Sequence, residues 1–284
     1  MATFYALVTK MRNKTLQGAS LERAAVKLGH EFVYVVDTAT DAFNLPTLAP
    51  GDMLFRTSST KRARQIERQL LRDDIGHIYD NANVGLSYRA SSVFYNARAG
   101  LPIVKTLMLL PTRKSDLDQH IDYLGGFPIV LKVMGASNGV GVIKVDSIES
   151  YKSVMDFIAP MNARVIMRSF VPHTHYARLI VVGDEIAGAH CTYVMDKEFR
   201  TNAPGNNDTN RKPFEPTVAM AASAVEAVRS MGVSYGGVDL LIAADGGYYI
   251  SEVNTPCFYT ETERITGVDI SSKIVSLLAN KAVA

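Results

Sequence analysis

The chain has 284 residues, 47% of them apolar and 20% charged, which describes a folded globular protein too long for one minimal core. Its net charge of +2 gives no case for nucleic acid as a partner, no apolar run approaches the ~20 residues of a membrane helix, and its two cysteines make neither a disulfide framework nor a zinc site. A reducing, cytoplasmic compartment is therefore expected, with Met1–Lys10 reading as a first strand and not as a signal peptide.

Residues 3–9 and 32–36 are apolar runs of strand length. Between them, Ser20 to Gly29 has the pattern of an amphipathic helix, with Ser20 as its N-cap and Gly29 as its stop. Strand–helix–strand at the start predicts a parallel α/β unit. Residues 61–72 predict a basic helix with Ile66, Leu70 and Leu71 inward. Its Lys61, Arg62, Arg64, Arg68 and Arg72 fit a solvated face better than a nucleic-acid surface. A second region opens after about residue 95. Strands are predicted over 127–133 and 140–145, joined by Gly135-Ala136-Ser137-Asn138-Gly139, then a helix over 150–158 and a strand from Val165. Leu179–Val182 and Glu185–Gly188 form a hairpin about Gly183-Asp184. Residues 201–216 form a loop long enough to suggest function, and a helix spans about 216–231.

The last two strands carry the clearest chemistry. Residues on either side of Asp245-Gly246 read as a hairpin with a two-residue turn, which sets Asp239 opposite Glu252. A turn at Gly246-Gly247 would set it opposite Asn254 instead. In both registers Asp239, Glu252 and Asn254 share one face. Two carboxylates ~5 Å apart repel by about 3 kcal/mol at an effective dielectric near 20. A hard divalent cation held by oxygens would offset this. So would a salt-bridged or protonated pair. Lys132 lies inside the apolar run Ile129–Val133, where an unpaired charge is costly and a phosphate would stabilise it. The alternative is a lysine snorkelling from an edge strand. The small-residue loop after it, Gly135 to Gly141, could close over phosphates with its N–H groups. Arg178 and Arg200 are residues suited to bidentate contact with carboxylate or phosphate. His173 and His175 lack a third soft ligand nearby in sequence, which favours exposed loop histidines over a zinc pair.

Several segments occur in the order of a known family: Gly125-Gly126-Phe127-Pro128-Ile129-Val130-Leu131-Lys132, the glycine loop, Phe199-Arg200-Thr201-Asn202, Gly237-Val238-Asp239-Leu240, Glu252-Val253-Asn254 and Thr266-Gly267-Val268-Asp269-Ile270. Over residues 95–280 the chain resembles the ATP-grasp ligases, most closely the RimK-type glutamate ligases. The resemblance implies an α/β protein with α+β lobes in three parts: an N-terminal parallel α/β domain (1–94), a central lobe with the glycine loop (95–170) and a C-terminal lobe with a metal site (171–284). It implies ATP between the lobes. Lys105 and Lys132 match the phosphate-binding lysines, and Ser137, Asn138, Gly139 and Gly141 the covering loop. Arg168, Ser169, Phe170 and Val171 match the adenine hinge, and Tyr176 the position that holds the ribose. Asp239, Glu252 and Asn254 match the ligands of two magnesium ions, with manganese as an alternative. Arg178, Arg200 and Asn202 match catalytic residues at the phosphates and the acyl-phosphate intermediate.

The implied activity is ATP-dependent carboxylate–amine ligation, with an amino acid, peptide or protein as acceptor. A phosphotransferase without ligation and a non-catalytic ATP-binding module are the alternatives, and self-association is left open. The chain departs from the family pattern at Arg168 and Ser169, where glutamine and glutamate are usual. Tyr176 stands in place of an acidic residue, and Cys257 in place of a glycine, where it reads as a small residue filling a turn.

Overall fold

The computed structural model describes residues 1–9, 14–41, 43–87, 91–110, 114–134, 139–161, 163–194, 199–200 and 210–282. The first sheet is parallel, in the order β2-β1-β3, from β1 (Thr3–Val8), β2 (Glu31–Val36) and β3 (Met53–Arg56). Its apolar runs are covered by the helices Ala19–Lys27 and Lys61–Leu70, which bury Leu21, Ala24, Ile66 and Leu70. The first helix starts without a side-chain cap. Ser20, expected as that cap, donates instead to Glu263 at 3.0 Å. Tertiary contact outbid the local signal. Two arginines of the basic segment 61–72 are committed locally: Arg62 in the helix to the Thr40 carbonyl at 2.8 Å, and Arg72, beyond its end at Leu70, to both oxygens of Asp74.

The second sheet is antiparallel, in the order β4-β7-β5-β6. It contains β4 (Thr106–Leu107), β5 (Ile129–Val133), β6 (Val142–Val145) and β7 (Val165–Ser169). The helices Lys114–Leu124 and Ile148–Ile158 back it. Ser147 and Ser150 close a reciprocal capping box at the start of the second helix. This lobe has its own core, including Leu117, Ile121, Leu131 and Met167.

The third sheet is antiparallel, in the order β10-β9-β8-β11-β12. Its strands are β8 (His175–Val182), β9 (Glu185–Tyr193), β10 (Arg211–Pro213), β11 (Tyr235–Ile242) and β12 (Tyr248–Asn254). It shares one hydrophobic core with the first sheet, with Phe55 and Tyr235 rings 5.2 Å apart at the junction. The helices Val218–Arg229 and Ile270–Ala282 pack into that core.

Two bulges set the register of this sheet. The β11–β12 hairpin turns through Ala244-Asp245-Gly246, with the Ala243 N–H bonded to the Gly247 carbonyl and Gly246 at φ +84°. This three-residue loop replaces the expected two-residue turn. Leu240 pairs with Ile250 and Asp239 with Glu252, so Ser251 is an extra residue. The bulge restores the expected pairing of the carboxylates by an unexpected route. In the β8–β9 hairpin, Val181 pairs with Ile186 and Ile180 with Gly188, leaving Ala187 extra. Without that bulge Ala189 would face Arg178. With it, His190 does.

Candidate functional site

A cavity of about 1030 Å³ lies where the second and third sheets face each other. Val130 and Lys132 of β5 and Arg168 of β7 line it from one side. Arg178, His190, Asp239, Glu252 and Asn254 line it from the other. Four of these form one row across adjacent strands. His190 on β9 faces Arg178 on β8, Arg178 faces Asp239 on β11, and Asp239 faces Glu252 on β12. Directly paired residues share a face, so the row points into the cavity together.

The charges in the row are matched. Arg178 donates from Nε and Nη2 to the two oxygens of Asp239 at 2.8 and 2.7 Å. The Asp239 carboxylate raises the Arg178 guanidinium above its ordinary value, against the opposing effect of burial. Lys132 reaches across from β5 to Glu252 Oε2 at 2.6 Å. Burial alone would raise the Glu252 carboxyl, but Lys132 and the Asn254 amide bring it down to about 2. Asn254 Nδ2 lies 3.0 Å from Glu252 Oε1 and 3.4 Å from Asp239 Oδ2. The repulsion expected between the two carboxylates is thus met within the protein by Arg178 and Lys132. Lys132 is neither unpaired nor a snorkelling edge residue.

The donor set still suits a hard divalent ion: two carboxylates and an amide converge on one cavity wall, all able to offer oxygen. Among the described residues no three His, Cys, Asp or Glu side chains converge. His173 and His175 are half-buried, not exposed. His175 sits on β8 with its ring 5.1 Å from that of Tyr193.

Most of the expected residues come together. Ser169, Phe170, Val171 and Tyr176 line the cavity, as do Gly139 and Arg200. Gly139 and Gly141 both take left-handed backbone, at φ +72° and +74°. Ser137, Asn138 and Asn202 lie outside the described residues, as does most of the loop at 201–216. Lys105 is not brought in. It is exposed, donates to the Tyr123 carbonyl at 3.1 Å and lies over the Tyr123 ring. Its backbone, by contrast, accepts the Ser169 N–H at the hinge.

Cys257 is buried and donates to the Tyr235 hydroxyl at 3.1 Å. Burial pushes its thiol up to about 11, which suits a packing residue and not a reactive one.

Sequence reasoning missed His190. Its strand was expected to end at Gly188, and the turn-based register would have put Ala189 beside Arg178. His190 is 5% exposed, with Nδ1 2.9 Å from Thr262 Oγ1. Burial, and then the Arg178 and Arg211 charges, push its imidazole down to about 4. It is a neutral ring beside a fixed cation.

The RimK-like ATP-grasp domain matches residues 88–278. The chain belongs to the RimK-like ATP-grasp family. A probable alpha-L-glutamate ligase of Trichodesmium erythraeum (strain IMS101) is 30% identical over 184 residues, 64% of this chain and 60% of that protein. The match therefore spans less than two thirds of that relative's length. A probable alpha-L-glutamate ligase 1 of Hahella chejuensis (strain KCTC 2396) is 27% identical over 293 residues, 95% of this chain and 93% of the relative. Among solved structures, the ATP-grasp ligase PsnB complexed with a phosphomimetic variant of minimal precursor, Mg and ADP superposes with a TM-score of 0.73 at 13% identity, covering 99% of this chain and 98% of that one. At that identity the likeness shows the fold, which is the ATP-grasp fold expected from the sequence.

Proposed function

We propose that this RimK-like ATP-grasp protein is an ATP-dependent carboxylate–amine ligase that forms an amide through an acyl phosphate and releases ADP and phosphate. The row His190–Arg178–Asp239–Glu252, joined by Lys132 from the opposite lobe, carries this reading. It puts cations and oxygen ligands on one cavity wall, where a γ-phosphate and an attacking carboxylate could both be held. A cavity of about 1030 Å³ also exceeds what one drug-sized ligand needs, leaving room for a second substrate.

Asp239, Glu252 and Asn254 would hold magnesium, one or two ions, which neutralises charge on phosphate oxygens when bound. Lys132 is half-buried and pairs with Glu252. From that position it would also donate to a phosphate held at the same wall. Arg178, fixed on Asp239, presents its remaining N–H groups to the transferring group and the carboxylate that attacks it. Arg200, at the same cavity, adds a second guanidinium there. The acyl phosphate then meets an amine, whose nitrogen displaces phosphate and loses a proton. The lobes exclude water from this intermediate. Ser169 to Val171 and Tyr176 line the same cavity and would serve as the adenine hinge and the ribose contact.

The acceptor is proposed to be an amino acid or a peptide. Support comes from relatives named as glutamate ligases and from PsnB, solved with a precursor. A scaffold that only binds ATP would have no use for Arg178 fixed beside the carboxylates. The test is magnesium-dependent ADP and phosphate release across the twenty amino acids, singly and in pairs, and across peptides, with mass spectrometry of products. Release with an acid–amine pair and an amide product is expected. ADP release with a single acid and no amide would establish phosphoryl transfer alone, and ATP binding without turnover on any acceptor would favour the scaffold.

A further inference from the structure

Arg168 lies in β7 opposite Val130, and so on the same strand face as Val130 and Lys132. All three line the cavity. The side chain is 8% exposed. Its Nε donates to Thr106 Oγ1 at 3.1 Å, Nη1 to Ser251 Oγ at 3.3 Å and Nη2 to the Ser251 carbonyl at 2.8 Å. Every one of these acceptors is neutral. Among the described residues no carboxylate lies within ion-pair distance of it, while the nearby acids are taken by Lys132 and Arg178. A guanidinium carries five N–H groups, so two remain.

A buried cation without an anion is costly. Burial lowers the Arg168 pKa below its ordinary value, and only the Glu252 charge opposes this. A ligand anion would relieve that cost. Arg168 stands on the central lobe beside Lys132 and next to the hinge residues Ser169 and Phe170. Arg178, by contrast, stands on the third sheet, bonded to Asp239 within the row.

We propose that the Arg168 guanidinium binds a phosphate of the nucleotide. One N–H on each of Nη1 and Nη2 remains to donate to phosphate oxygens. The bonds to Ser251 fix its direction and link nucleotide binding to the bulge next to Glu252. This rests on the cavity being the nucleotide site.

The test is isothermal titration calorimetry of the full chain with ADP and with adenosine, both with magnesium, for the wild type, Arg168→Gln and Arg168→Lys. Arg168→Gln should weaken ADP by about tenfold or more and leave adenosine within about twofold. Arg168→Lys, a point charge without the two Nη groups, should fall between, and it carries the test if the glutamine variant folds poorly. Ligand-free Arg168→Gln should melt no lower than wild type, since it loses an uncompensated charge, while its ADP-induced shift shrinks. Equal weakening of ADP and adenosine would make Arg168 a strut between the two sheets and overturn the proposal. Unchanged ADP affinity would overturn it as well. A wild type that binds no ADP would remove the nucleotide reading itself, which is a different result from a variant that matches a binding-competent wild type.

Discussion

At the scale of single residues the two carboxylates are not equivalent. Asp239 is 6% exposed and locked to Arg178 by two short bonds. Asp239→Asn leaves a buried guanidinium facing a neutral amide, so it should cost about 3 kcal/mol of stability along with turnover. Glu252 is more open, and Glu252→Gln should reduce magnesium-dependent ADP release by roughly a hundredfold or more at a smaller cost to the fold. Phosphate-release assays and urea unfolding on both variants check this. Retained activity in both at low magnesium would remove the metal assignment. His190 makes a pH prediction. Its folded value of about 4 lies below the ordinary 6.5, so the unfolded chain binds the extra proton between those values. Its contribution is complete above pH 7 and is lost as the pH falls toward 4. The loss should reach about 2 kcal/mol by pH 5. His190→Gln should flatten that part of the urea-midpoint profile, and an unchanged slope would show that other groups set it.

At the scale of elements, the site depends on strand registers that two bulges adjust. Ser251 offsets a three-residue turn so that Asp239 still meets Glu252, and Ala187 moves His190 beside Arg178. A one-residue slip in either strand would turn the functional row to the opposite face. Close packing at the end of β11 holds the arrangement. A Cβ on Gly237 would lie 2.8 Å from Cys257 Cβ and 3.0 Å from its Sγ. Gly237→Ala should therefore lower stability by about 1–3 kcal/mol, seen in urea midpoints. Cys257→Ala in the same chain should not relieve it, because the Cβ remains, whereas Cys257→Gly should recover part.

At the scale of the molecule, the first and third sheets share a core and the central lobe has its own. Across the cavity the central lobe meets the third sheet through the Lys132–Glu252 and Arg168–Ser251 contacts. A ligand held from both sides should stabilise the pair together. At a hundred times its dissociation constant, ADP with magnesium should add about 2.7 kcal/mol, read as a rise in melting temperature. EDTA should remove much of that rise in the wild type and less of it in Glu252→Gln.

Much of this was readable from local pattern. Strand alternation put Asp239, Glu252 and Asn254 on one face whichever turn was chosen, because the side-chain period of two depends only on neighbouring residues. Lys132 on a strand between two neighbours was legible from its apolar flanks. An extended segment does not reveal which way the Lys105 side chain turns, and here the Tyr123 carbonyl and ring take it. Ser20 was misread as a cap because Glu263, 243 residues away, offered a partner. The sequence by itself determined which chemical groups the chain carries and which strand face bears the carboxylates. The tertiary structure decided the bulges, the partners of Arg178 and Lys132, and the arrival of His190 and Arg168 at the cavity, because these follow from pairing and packing between segments far apart in the chain.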